Sequence, residues 1–333
     1  MIRRASSQAD WGWPNGVRQF ASPQHVLLLN GDGYGLPEEH VEFCATAGMK
    51  AMALTEHGNV SSHVQLEKAA LKFGIKPIFG LEGYIAPPNQ KRKCHQTILA
   101  MSSAGYSNLN KMVVESWKTL GTTSKSRFPT IHLEVLEEYS DGIIILSGCA
   151  DSVLSCTLLG GKSYGDPRLT YDRDDYRRAV GVVEWYQEIF GDRYYIETQR
   201  FPQLDRTRAL NPAFERLSRD TGVPLAATSD CHYVYARDNE MQKILHAAHR
   251  GSSVQAMEAS WEYDCTLDIP GDDERVLRDL LATGLSEEAA TEALLNTGRI
   301  ADRCEVKLQK VEPIKYVPDE KDWEPWVKQT STR

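Results

Sequence analysis

Side chains of the kind that hold metal ions recur at corresponding places along the chain. Glu56-His57 comes directly after the apolar run that ends at Thr55, Glu82 after Pro77-Ile78-Phe79, Cys149 after Ile143-Ile144-Ile145-Leu146, and Asp230 with His232 after Pro224-Leu225-Ala226-Ala227. His25 and Asp32 occupy the first strand-to-helix region, and His95 stands beside Thr97-Ile98-Leu99-Ala100. Singly, each has an ordinary reading. A histidine or cysteine near a strand end is more often packed than ligating, Glu82 could be an ion-pair partner, and Asp230 could cap a helix. Gathered together, imidazoles, carboxylates and one thiol make a mixed N, O and S donor set suited to zinc or manganese. Divalent ions clustered in such a set suit phosphoester hydrolysis: one lowers the pKa of a bound water while its neighbours hold the phosphate and the leaving oxygen.

Gathering them is the task of the elements in between. From about residue 25, short apolar runs alternate with amphipathic stretches, the pattern of βα units around a mainly parallel sheet or barrel. Pro37-Glu38-Glu39 starts a helix that ends near Gly48, with proline at its first position and acids in its first turn. Ala51-Met52-Ala53-Leu54 is a buried strand, and Ser61-Ser62 caps a helix whose apolar positions Val64, Ala69 and Leu71 precede Gly74. Leu109, Met112, Val113 and Trp117 mark one side of a further helix, and Ala179, Val182, Val183, Tyr186 and Phe190 mark a long one closed by Gly191. Tyr194-Tyr195-Ile196 and Pro224-Leu225-Ala226-Ala227 are the last strands, separated by a helix that Asn211-Pro212 begins. Six or seven βα units by residue 232 point to a barrel, whose C-terminal strand ends would form one shared rim.

The expected organisation is an irregular segment over 1–19, a barrel over 20–250, a partly helical extension over 251–310 and an extended tail over 311–333. The tail carries Pro313, Pro318 and Pro325. The chain has 333 residues, 41% hydrophobic and 25% charged, an ordinary globular balance. No apolar run approaches a membrane span, and no apolar stretch follows the basic N-terminus as a secretory signal would require. Seven cysteines without a C-x-x-C pair argue against a disulfide framework or zinc ribbon and fit a reducing cytosol. A net charge of −8 argues against a protein that coats nucleic acid, whereas bound divalent ions would reverse the sign locally at a carboxylate-rich site.

Five stretches carry a family resemblance: Leu54-Thr55-Glu56-His57-Gly58-Asn59, Gly74-Ile75-Lys76-Pro77-Ile78-Phe79-Gly80, Ala104-Gly105-Tyr106-Ser107-Asn108-Leu109, Leu146-Ser147-Gly148-Cys149 and Ala227-Thr228-Ser229-Asp230-Cys231-His232-Tyr233. In order and spacing they are similar to the PHP (polymerase and histidinol phosphatase) domain of bacterial DNA polymerase III alpha subunits. The resemblance runs from about residue 20 to 250, and more weakly through Asn296-Thr297 and Ile300-Ala301-Asp302-Arg303-Cys304 to about residue 318. It implies an α/β fold, a distorted parallel (β/α)7-like PHP barrel with a mostly helical C-terminal extension.

The resemblance also implies two or three divalent metal ions, zinc and/or manganese with magnesium as a further candidate. One site would use His25, Glu82 and Asp230; a second Glu82, His95 and Cys149; a third Asp32, His57 and His232. Pro23 stands where the family's first motif has a histidine, and Glu56 where it has an aspartate. The implied function is a metal-dependent phosphoesterase in the bacterial cytoplasm, host- or phage-encoded, and specifically a 3′-to-5′ DNA exonuclease of the proofreading type. It would act on DNA 3′ ends beside a replicative polymerase, with no membrane partner. Lys91-Arg92-Lys93 would hold backbone phosphates, or form a solvated loop. The family's polymerase portion lies beyond residue 333, so the expectation is a split polymerase with a separate catalytic chain as partner, a stand-alone PHP nuclease, or an excised piece of a longer protein. The alternatives are a weakened PHP scaffold that stabilises or docks onto a polymerase or exonuclease chain and, third, a small-molecule phosphatase of the histidinol-phosphatase type.

Overall fold

Apolar runs flanked by turn residues do become strands here, and the sheet they build curls around a filled interior. The computed structural model describes the strand backbone of residues 21–24 and residues 33–86, 93–120, 128–160, 168–259 and 265–310. His25, Asp32, Lys91, Arg92, the whole segment 1–19 and the tail 311–333 lie outside the described residues. The strands are β1 (Ala21–Gln24), β2 (Ala51–His57), β3 (Lys76–Ile85), β4 (Cys94–Ala100), β5 (Thr130–Ile131), β6 (Ile143–Leu146), β7 (Tyr194–Gln199) and β8 (Leu225–Thr228). The helices are α1 (Pro37–Thr46), α2 (His63–Phe73), α3 (Ser103–Lys118), α4 (Leu133–Glu138), α5 (Val153–Leu159), α6 (Arg173–Phe190), α7 (Asp205–Thr221), α8 (Asn239–His249), α9 (Val254–Ala259), α10 (Asp273–Ala282) and α11 (Glu287–Arg303).

The strand order is β1-β2-β3-β4-β6-β7-β8, with the short β5 paired to β3. The fold is the expected α/β barrel type with one departure from a parallel sheet: β4 runs antiparallel to both β3 and β6. A parallel crossover needs a dozen or more residues, and only 86–93 separate β3 from β4. The reversal places the first residues of β4 beside the last residues of β3, with Tyr84 opposite His95.

Alternate residues of β6 serve two interiors, as a strand buried on both faces requires. Ile143 and Ile145 face helix residues Ala179, Val183 and Tyr186. Ile144 and Leu146 join Ala53, Ile78, Leu99, Tyr195 and Ala226 inside the curled sheet. That interior is stoppered by α11, whose Ile300 and Ala301, with Cys304 just beyond, belong to the same cluster. Polar anchors seat the stopper: Asn296 Nδ2 donates to the Leu225 carbonyl at 2.7 Å and Lys76 Nζ to the Ala301 carbonyl at 2.8 Å, each at the start of a strand. The extension therefore closes the end of the barrel opposite the strand C-termini.

Several local expectations give way to packing. In α2 the buried stripe is His63, Leu66, Ala69 and Ala70, whereas Val64 (52% exposed) and Leu71 (74%) face outwards. The stripe turns His63 inwards, where its Nε2 meets the Gly80 carbonyl at 3.0 Å. Ser62 precedes α2 without capping it; its hydroxyl donates to Glu56 at 2.9 Å instead. Trp117 is 51% exposed rather than packed beneath α3. Helix α7 starts at Asp205, not at Asn211-Pro212, and Pro212 lies inside it. Asn211 is buried and donates to the Gln199 carbonyl and to Thr283 Oγ1, so it ties the helix to β7 and α10.

If α11 stoppers the barrel, Ile300→Ala should cost about 3 kcal/mol of stability, as large-to-small changes in a core do. Urea unfolding measures it, and a loss within about 0.5 kcal/mol, the range of surface changes, would show that the helix is dispensable.

Candidate metal centre

Three strands meet on one carboxylate, which lies inside β3. His57 closes β2 and is paired in register with Glu82 on β3, while the reversed β4 brings His95 in from the other side. Glu82 spends its two oxygens on the two rings: Oε2 lies 3.3 Å from His57 Nδ1 and Oε1 3.0 Å from His95 Nδ1. One ligand atom from each of the three falls within 4.8 Å of the others. Cys149 extends the row, its Sγ 3.4 Å from His95 Nδ1. The loop that carries it must hug β4, and Gly148 permits this: its φ is +88°, and a Cβ there would lie 2.3 Å from the His95 carbonyl oxygen.

Asp230 lines a small cavity together with Glu82, Cys149, Thr97, Glu197, Gln199 and Thr228. Its φ of 42° is the left-handed conformation that aspartate tolerates better than most residues, and Gln199 Nε2 donates to its carboxylate at 3.1 Å. His232 is buried beside it, with Nδ1 2.8 Å from the Asp230 carbonyl oxygen. The structure thus brings together His57, Glu82, His95, Cys149 and Asp230. The partition implied by the resemblance assigns His57 and Glu82 to neighbouring sites, and the two side chains stand 3.3 Å apart. Lys93 stands outside the cavity with its ammonium 3.6 Å from the centre of the Phe128 ring.

Glu56, next to His57, does different work. Ser62 N and both serine hydroxyls of Ser61-Ser62 donate to its buried carboxylate at 2.9–3.0 Å, which pins the loop after β2. His40 and His63 are likewise structural: burial lowers each to a pKa of about 4, so both are neutral packing groups.

Glu197 escaped the sequence reading. The apolar run Tyr194-Tyr195-Ile196 seemed to end the strand, but β7 continues to Gln199. The alternation Tyr195, Glu197, Gln199 turns both polar side chains to the inner face, and that period of two was the available signal. Glu197 is buried, accepting from Thr97 Oγ1 at 2.8 Å and Thr228 Oγ1 at 2.7 Å. Burial pushes its carboxyl up to about 7, with Asp230 and Glu82 adding to the effect against the two threonine bonds.

The donor chemistry fits divalent metal. Glu82, Asp230 and Glu197 share a cavity with a thiol whose ionisation is suppressed, first by burial and then by Glu82, Asp151 and Asp230. Buried acids at this density need a counter-charge, and two imidazoles with a carboxylate between them are a ligand set for one.

A curled βα sheet with imidazole, carboxylate and thiol donors at its rim defines a metal-site α/β protein. The chain belongs to the PHP domain family, whose model matches residues 25–201. It is 29% identical over 290 residues to DNA polymerase III subunit alpha of Borreliella burgdorferi, covering 82% of this chain and 22% of that one. With the same subunit of Deinococcus radiodurans it shares 31% over 270 residues, 78% of this chain and 18% of the other. The chain spans about a fifth of the length of these relatives. A solved amidohydrolase from Chromobacterium violaceum is 14% identical, with a TM-score of 0.41 over 64% of this chain and 87% of that one.

Glu197 gives the metal-free protein a specific pH dependence. Its folded pKa lies above its unfolded value of 4.5, so between the two the folded state binds more protons. The favourable contribution is complete below about 4.5 and is lost as pH rises to about 7. Glu197→Gln removes this dependence. Urea unfolding of chelator-treated protein at pH 5 and pH 8 should show the variant gaining on the parent at the higher pH. An unchanged difference would mean that Glu197 is already ionised at pH 5.

Proposed function

We propose that the chain is a metal-dependent phosphoesterase that removes nucleotides from DNA 3′ ends, a 3′-to-5′ exonuclease working beside a replicative polymerase. The observation that carries this reading is the single carboxylate, Glu82, held between His57 and His95 with Cys149 and Asp230 around the same cavity. Divalent ions bound there would lower the pKa of a water and offset phosphate charge. The chain's own contribution is orientation. Glu82 aligns both imidazoles, Gln199 holds the Asp230 carboxylate, and Tyr84 stacks on His57 at 5.4 Å with the rings 6° from parallel. His25 and Asp32 are proposed to complete the ligand set, and His232 to support it beside Asp230. Similarity to polymerase alpha subunits over about four-fifths of the chain favours a DNA substrate over a small phosphate monoester.

Pro23, within β1, favours a second reading: a scaffold that braces a separate polymerase chain while its own site is weakened by one missing donor.

Metal content measured by mass spectrometry should be two or three divalent ions per chain. Glu82→Ala should lose more of it than His232→Ala, because Glu82 touches two donors. On 3′-labelled DNA with zinc, manganese or magnesium, Glu82→Ala and Asp230→Ala should each lower cleavage by more than about 100-fold, beyond what loss of an outer-shell group costs. A folded, metal-loaded parent that leaves the DNA intact would establish the scaffold instead.

A further inference from the structure

Beside the metal rim lies a group of aromatic side chains that the barrel core does not use. Tyr84, stacked on His57, also touches Phe128 with ring centres 5.2 Å apart. Phe128 is 45% exposed and carries the Lys93 ammonium over its ring. Trp117, equally open, is fixed to the residue that follows His57: its Nε1 donates to the Gly58 carbonyl at 2.8 Å. The segment bearing Phe128 is held down at two points. Gly58, at φ +63°, leaves room for Pro129, whose Cγ a Cβ there would approach to 2.6 Å. The Thr130 amide donates to Thr119 Oγ1 at 3.1 Å, just past α3. The two large rings are thus positioned by specific contacts, half open to water, and connected through Tyr84 and Gly58 to a candidate metal ligand.

We propose that Phe128 and Trp117 form a stacking platform for the unpaired bases of a single-stranded nucleic acid, with Lys93 meeting the backbone next to them. The inference rests on the phosphoesterase reading and deepens it, since it makes the substrate an unpaired strand end. Every base offers a π-face to an exposed ring, so such a platform binds without reading sequence. The Lys93 ammonium, held over one face of the Phe128 ring, puts a positive charge for a backbone phosphate next to the platform in a chain of net charge −8. A platform next to the cavity would also draw the terminal nucleotides out of a duplex, as enzymes must when their site cannot admit paired bases.

The test uses the full chain, stripped with chelator so that binding is separated from cleavage, and a fluorescein-labelled single-stranded deoxyoligonucleotide read by anisotropy at fixed salt. Phe128→Ala and Trp117→Ala should each weaken binding roughly ten-fold, the scale of one lost base–aromatic stack. Phe128→Trp should preserve binding, and Lys93→Gln should flatten its salt dependence. An oligonucleotide with abasic 3′-terminal positions should bind the parent as weakly as the intact strand binds Phe128→Ala. Equal affinity of parent and both alanine variants, or no binding by the parent, overturns the platform; the patch would then be a protein-facing surface. Cleavage by the metal-loaded parent is scored separately. DNA held through these rings but never cut would sink the phosphoesterase reading and leave the platform standing.

Discussion

The centre exists because one strand runs the wrong way. With β4 reversed between β3 and β6, its first residues rather than its last arrive at the rim, and His95 meets Glu82 from the side opposite His57. The same reversal sets Thr97 directly across from Glu82, from where its hydroxyl reaches Glu197 on β7. Cys149 then has only to follow β6 past Gly148 to touch His95. The contacts that His95 and Thr97 make around the site are downstream of that one antiparallel insertion.

Electrostatics give the arrangement its direction. Glu82, Asp230 and Glu197 crowd one buried space, and among the described residues no arginine or lysine lines it. The protein handles this in two ways. Glu197 keeps its proton over much of the acidic range, and Glu82 leans on two imidazoles that can share its charge. Both are holding arrangements for a site whose natural balance is a cation. Elsewhere the chain pairs its buried charges directly: Arg200, also buried, meets Asp279 at 3.1 Å and the Asp268 carbonyl at 2.6 Å. The contrast marks the cavity as the place where an external charge belongs.

Much of this was legible in the sequence, and the limits have physical causes. Donor residues at the ends of apolar runs were visible because strand ends are punctuated by polarity, so His57, Glu82, Cys149 and Asp230 could be picked out before any geometry. Strand direction could not be read that way. The run before Ala100 has the same composition whichever way it points, and only the shortness of 86–93 betrays the turn. Local periodicity also misjudged faces: Val64 and Leu71 looked like a core stripe, but the helix rolls to bury Leu66 and to seat His63 on Gly80. Glu197 was missed because a carboxylate inside a barrel breaks the rule that strand interiors are apolar, a rule that functional sites violate.

The stoppered barrel bears on what counts as the unit of this fold. The family match ends at residue 201, but β8, Asp230, His232 and the α11 stopper all come later in the chain. Trimmed at that boundary, the polypeptide would lack a strand, one wall of the cavity and the helix whose Ile300 and Ala301 pack into the far end. The packed interior therefore extends through Cys304, where the last interior side chain of the stopper lies. The sequence signature is thus shorter than the object it announces.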